Sequence, residues 1–203
     1  MTAPEMITQT AKGSSMTSPT SITAAREDRL ALGTRIRVGQ PAHNDVTDFL
    51  YEEANFLELG EFEEWLLLLD NDIRYTAPVR RTRLRHEGSE FDPVMKHYED
   101  TLDTLKQRVR RLRTRYAFAE DPPSRTRRLV TNIRAHETAS PEELAVSSSL
   151  LVLRNRLDDP TSHLISALRE DVLVQRADGL KLRRRTVLLD SATLPTHNLA
   201  IFL

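Results

Sequence analysis

The chain has 203 residues, 39% of them hydrophobic and 29% charged, with 29 basic and 30 acidic side chains giving a formal net charge of -1. That composition fits a globular chain with a real core, and so even a balance argues against a general binder of nucleic acid or of anionic membranes. There is no cysteine, which excludes a disulfide framework, a thiolate nucleophile, a zinc ribbon and any cysteine-ligated iron–sulfur cluster on this chain.

Residues Met1 to Gln40 are rich in Thr, Ser, Ala and Pro and read as an extended or disordered arm, with at most a short helix near Ala24–Leu32. Met16 offers an alternative start. No signal-peptide pattern and no apolar run of membrane-spanning length occurs, so a cytoplasmic location is expected. A single domain is expected over residues 41–203.

The folded part is expected to begin near Asn44, where Asn44 or Asp45 caps a helix. Val46, Phe49, Leu50 and Leu57 fall on one helical face, and Gly60 suits the left-handed residue that ends it. A second helix starts at Glu61 with Phe62, Trp65, Leu66 and Leu69 as its apolar stripe, and Asp70-Asn71-Asp72 closes it as a turn. Ile73, Tyr75, Ala77 and Val79 then alternate with polar neighbours, the pattern of a strand, and Pro78 places its end at an edge or a bulge. A third helix is expected from about Met95 to Thr114, with Leu102, Leu105, Val109 and Leu112 inward. Long strands follow over Arg127–Glu137, Leu144–Leu157, His163–Arg176 and Leu180–Asp190. The last two are joined by Ala177-Asp178-Gly179, a hairpin signal. A short strand at Leu199–Leu203 ends the order. Helices first and a meander afterwards predict an α+β fold, with a strongly curved, mainly antiparallel sheet wrapped around the N-terminal helices in a cone-like form.

Chemistry-bearing groupings are sparse. His43, His86, His97, His136, His163 and His197 form no compact ligand pair of the kind a metal site needs. Lys106, Arg108, Arg110, Arg111, Arg113 and Arg115 form a basic run in which Arg108, Arg111 and Arg115 share a helical face. Acidic neighbours flank the run and no aromatic interleaving accompanies it, so a solvated face is favoured over a nucleic-acid groove. Within Arg183-Arg184-Arg185, strand alternation sends Arg184 to one face and its neighbours to the other, so salt links to carboxylates or a partner chain are expected. Only 6 glycines occur, none clustered, which argues against the common nucleotide-binding loops. One enzymatic reading survives: a small stand-alone isomerase or dehydratase whose cone holds a general base, with Asp72, Tyr51, Tyr75, His97 and His136 as the residues to test.

Three stretches carry a family resemblance. The first is Asp48-Phe49-Leu50-Tyr51-Glu52-Glu53-Ala54, continuing through Glu61-Phe62-Glu63-Glu64-Trp65-Leu66 to Asp72-Ile73-Arg74-Tyr75 and Pro78-Val79-Arg80. The second is Asp121-Pro122-Pro123-Ser124-Arg125-Thr126-Arg127-Arg128-Leu129-Val130-Thr131-Asn132-Ile133. The third is Arg184-Arg185-Thr186-Val187-Leu188-Leu189-Asp190 with Asn198-Leu199-Ala200-Ile201-Phe202-Leu203. In order and spacing these resemble the small β subunits of bacterial aromatic-ring-hydroxylating dioxygenases, and the segment Met95–Thr114 looks closest to the biphenyl, toluene and benzene branch. The resemblance implies the cone-like fold of nuclear transport factor two, ketosteroid isomerase and scytalone dehydratase. It implies a structural, non-catalytic subunit of an oxidoreductase that dihydroxylates aromatic hydrocarbons. It also implies a larger α subunit as partner, commonly three of each, with contacts between copies of this chain. The Rieske [2Fe-2S] cluster and the mononuclear iron are then expected on the α subunit, and no catalytic, cofactor-binding or metal-ligating residue on this chain.

Overall fold

The computed structural model describes residues 32–84, 86–114, 120–194, 196 and 198–203. The short helix expected near Ala24–Leu32, apart from Leu32 itself, and Met16, Arg115 and His197 lie outside these residues.

The elements in order are β1 (Arg35–Ile36), α1 (Pro41–Leu59), α2 (Phe62–Leu67), β2 (Leu69–Arg80), β3 (Phe91–Asp100), α3 (Leu102–Leu112), β4 (Arg125–Glu137), β5 (Glu143–Asn155), β6 (His163–Arg176) and β7 (Gly179–Leu189). The strands form one seven-stranded sheet in the order β1-β4-β5-β6-β7-β2-β3. Every pairing is antiparallel except β2 with β7, which is parallel. The fold is the expected α+β cone: α1 packs on β4 and β7, α2 on β2, and α3 on β2 and β3.

Helix α1 starts three residues before the expected cap. Pro41 occupies the first turn, where its missing N–H costs nothing, and Gln40 precedes it in extended geometry without a side-chain cap. Gly60 ends the helix at φ 73°, as expected. Asp70-Asn71-Asp72 is not the end of a helix. It lies inside β2, where the register with β7 breaks between Leu69 and Arg74 and the Asp70 carboxylate accepts the amide of Asp72 at 3.0 Å. Pro78 falls at a register shift against β3, the bulge its missing donor requires.

The expected long helix from Met95 to Thr114 is two elements. Residues 91–100 form β3, an edge strand whose Asp92 carboxylate takes the amides of Val94 and Met95 at 2.9 and 2.8 Å. That local turn, with Pro93, blurs the period-2 pattern. The helix proper begins after Thr101, whose amide donates to Thr104 Oγ1 at 2.8 Å. Its inward residues Leu105 and Val109 are fully buried, and Leu102 and Leu112 pack at the margin of the core.

The four later strands stand close to their expected bounds, and the turn Ala177-Asp178 leads into Gly179 at φ 114°. The alternation in β7 does not hold through its arginines. Val172 pairs with Arg184 and Leu173 with Leu182, so Arg183 is the extra residue of a bulge. Leu182 and Arg185 consequently both face the interior. Segment 199–203 is not a strand, yet Ile201, Phe202 and Leu203 are buried in the core.

Candidate functional site

The interior of the cone holds a cluster of buried charge. On α1 the inward positions are Val46, Phe49, Leu50, Glu53, Ala54 and Leu57, spaced three and four apart. Glu53 therefore sits in the middle of an apolar stripe, only 1% exposed. On β6 alternation points Ile165, Ala167, Arg169 and Asp171 inward, and on β7 Arg185, Val187 and Leu189. Asp171 and Arg185 are cross-strand partners.

These side chains meet. Arg185 donates Nη1 to Glu53 Oε1 at 2.6 Å and Nη2 to Glu53 Oε2 at 2.8 Å. The same guanidinium grips Asp171 through Nε and Nη2 at 2.9 and 2.7 Å. Arg169 donates to Glu53 at 3.3 Å and to Ser148 Oγ at 3.2 Å, and Trp65 Nε1 donates to Glu53 at 3.2 Å. Burial disfavours the Glu53 carboxylate, but Arg185 and Arg169 outweigh it and hold its pKa below the ordinary value. Burial likewise opposes the Arg185 charge, and Asp171 and Glu53 overcome it. Both partners are therefore charged, in a geometry that satisfies the planar fork of arginine on two carboxylates.

Segment 198–203 closes the cone over this cluster. The Tyr75 hydroxyl donates to the Leu203 carbonyl and accepts the Leu203 amide at 2.8 Å. Arg185 Nη1 reaches the Leu203 carbonyl at 3.3 Å, Arg128 Nη2 the Phe202 carbonyl at 2.8 Å, and Arg154 Nη1 the Asn198 carbonyl at 2.9 Å. The Phe202 ring lies 4.3 Å from Trp65 and 5.7 Å from Phe62, with the Arg108 guanidinium 4.6 Å above it. Burial lowers the Arg128 pKa to about 10.

The proposed general-base residues do not converge. Tyr75 alone lies in the interior, and its hydroxyl is committed to Leu203. Asp72 is exposed on β2 and Tyr51 is 53% exposed on α1. His97 lies on the edge strand β3, its Nε2 buried without a partner and its pKa lowered by burial. His136 lies on β4 opposite Arg35 of β1. Of the other histidines, His43 is buried on α1 against the Ile133 carbonyl, His86 is in an exposed turn, and His163 opens β6. Among the described residues no group of three or more His, Asp or Glu is placed to hold a metal.

The basic run splits. Arg108 turns inward to Asp100 at 2.5 Å and over Tyr98, Arg111, three residues on in the same helix, stays exposed, and Arg113 meets Glu63 at 3.2 Å. The expected salt links of the strand arginines are present: Arg183 with Glu143 at 2.6 Å and Arg185 with Glu53 and Asp171. Glu53, Arg169 and Asp171 were not singled out as site residues from the sequence. The signal was there, because a charge at an inward position of an apolar stripe or strand demands a partner.

Comparison with known proteins agrees with this architecture. A family model described as ring hydroxylating beta subunit matches residues 52–196. A chain of naphthalene 1,2-dioxygenase, solved with indole bound in the active site, superposes with a TM-score of 0.72 at 26% identity, covering 79% of this chain and 85% of that one. The beta subunit of the benzoate 1,2-dioxygenase from Burkholderia mallei ATCC 23344 gives 0.57 at 21%, covering 76% and 93%. A Novosphingobium aromaticivorans DSM 12444 protein named after scytalone dehydratase gives 0.55 at 15%, covering 74% and 85%. The last two likenesses bear on the fold alone.

Proposed function

The chain belongs to the ring hydroxylating beta subunits, and from that premise we propose that it is the structural, non-catalytic subunit of a Rieske-type dioxygenase that dihydroxylates aromatic hydrocarbons. The observation that carries the reading is the filled cone. Where an isomerase or dehydratase needs an open pocket with a free base, this interior holds Glu53, Arg169, Asp171 and Arg185 locked to one another beneath segment 198–203.

The redox centres belong, in this reading, to a larger α subunit, which carries the Rieske cluster and the mononuclear iron. A sequence without cysteine has no thiolates for such a cluster. Three copies of each subunit, with contacts between copies of this chain, are the proposed assembly. The outer sheet face supports a partner: Leu129, Leu153, Leu164 and Leu168 are 51, 38, 51 and 37% exposed, and apolar surface of this kind is commonly covered in oligomers. Residues 41–203 are proposed as the cone domain and 1–40 as an arm, of which Arg35 and Ile36 pair with β4. The biphenyl, toluene and benzene branch is the proposed neighbourhood, resting on sequence likeness over a segment that is a strand and a helix, not one helix. A cytoplasmic location is proposed; among the described residues no helix is long and apolar enough to cross a membrane.

Co-expression with the α subunit, sizing by light scattering and iron analysis test the proposal. A symmetric hetero-oligomer whose iron follows the α subunit is expected. A chain that stays apart from the α subunit, or turns over a small substrate alone, overturns it.

A further inference from the structure

Segment 198–203 is held the way a ligand is held. Its backbone is gripped mainly by side chains, because it joins no strand: Tyr75, Arg128, Arg154 and Arg185 between them contact the amide of Leu203 and the carbonyls of Asn198, Phe202 and Leu203. Arg108 adds the Leu199 carbonyl at 3.5 Å. The one aromatic ring of the segment enters a slot made by Trp65, Phe62 and Arg108, with aromatic faces on one side and a cation on the other. Next to it, Arg128 Nε is buried with no acceptor, so the guanidinium that holds Phe202 retains an unused donor.

We propose that the cone is a binding cavity filled in cis: segment 198–203 is its built-in occupant, and once the ring of Phe202 is withdrawn the cavity takes a phenyl ring bearing a carbonyl or carboxylate oxygen. The ring goes to the Trp65–Phe62–Arg108 slot and the oxygen to Arg128 Nε, the donor beside it that has no acceptor. This goes beyond the supporting role proposed above and does not depend on it.

The test uses the full chain with Phe202→Ala and the milder Phe202→Leu, and phenylacetate and benzene as probes, read by calorimetry. The alanine variant is expected to bind phenylacetate at least about tenfold tighter than the parent, whose slot is taken. Phenylacetate is expected to exceed benzene, since only it offers an oxygen to Arg128 Nε. A folded Phe202→Ala chain that binds phenylacetate no better than the parent overturns the proposal. If that variant does not fold, native-state hydrogen exchange of the unaltered chain decides. A separable occupant predicts that the Leu203 amide exchanges at least about tenfold faster than the inner amides of β5 and β6. Exchange of Leu203 in step with those strands makes the segment an inseparable part of the core and overturns the proposal as well.

Discussion

Replacing Glu53 by glutamine removes one charge and almost no volume, and the consequence follows from what surrounds it. The carboxylate, 1% exposed, receives two bonds from Arg185, one from Arg169 and one from Trp65. Without it, two buried guanidinium groups share Asp171 as the remaining carboxylate of the cluster, and the glutamine amide turns a donor toward donors. Breaking a buried pair from one side costs about 3–5 kcal/mol, a large part of the roughly 5–15 kcal/mol that separates folded from unfolded states. For a chain of this size each kcal/mol moves the melting midpoint by about 2–4 °C, so a fall of about 6–20 °C is expected. The pH dependence has a definite sign. The folded pKa of Glu53 lies below its reference value of 4.5, so its contribution is complete above that value and is lost as the pH falls through the folded pKa. Glu53→Gln should therefore flatten this part of the acid limb while lowering stability at neutral pH. Circular-dichroism melts of parent and variant over a pH series measure both. A variant midpoint within about 2 °C of the parent at neutral pH refutes the view that the cluster is a tightly coupled element of the core.

Deleting residues 200–203 removes three buried side chains and the partners of Tyr75 and Arg128; we expect a steep fall in melting midpoint with the chain still folded, read by sizing and thermal melts. Gly60→Ala forces a Cβ into a left-handed residue at φ 73° and should cost about 1 kcal/mol, visible in urea titration without change in assembly. His97 has a folded pKa below 6.5 because of burial, so the unfolded chain takes the proton first and stability declines as pH drops below 6.5. His97→Leu should reduce that decline, measured as urea midpoints between about pH 7.5 and 5.5. The purified chain alone should be colourless with substoichiometric iron by elemental analysis, and a visible Rieske-type spectrum from it would contradict the proposed division of labour.

The meander was legible because β4 to β7 keep the period of two on either side of their bulges, and α1 and α2 because apolar residues recur three and four apart and Gly60 stops the first. Strand β3 was not, since an edge strand with Pro93 and the Asp92 turn keeps little alternation, and the nearby helical periodicity of Leu102, Leu105 and Val109 was extended backward over it. The Thr101–Thr104 pair marked the true helix start. Within the interior, the need of Arg185 for carboxylates was legible from its place in a strand. That one of them is Glu53, 132 residues away, was not, because that separation is closed only by topology. The bulge at Arg183 could not be read either, as nothing in the arginine triplet marks which residue the ladder skips.

The parallel pairing of β2 with β7 has a consequence in time. Thr76 is the neighbour of Thr186, so the first long strand made finds its central partner only when the last strand exists. Until then Trp65 lacks Phe202, Glu53 lacks Arg185, and Tyr75 lacks Leu203. The N-terminal helices must therefore wait with their apolar stripes uncovered while the meander forms on its own. Such a chain, closed by contacts distant in sequence, folds slowly for its size and is most exposed to aggregation during synthesis.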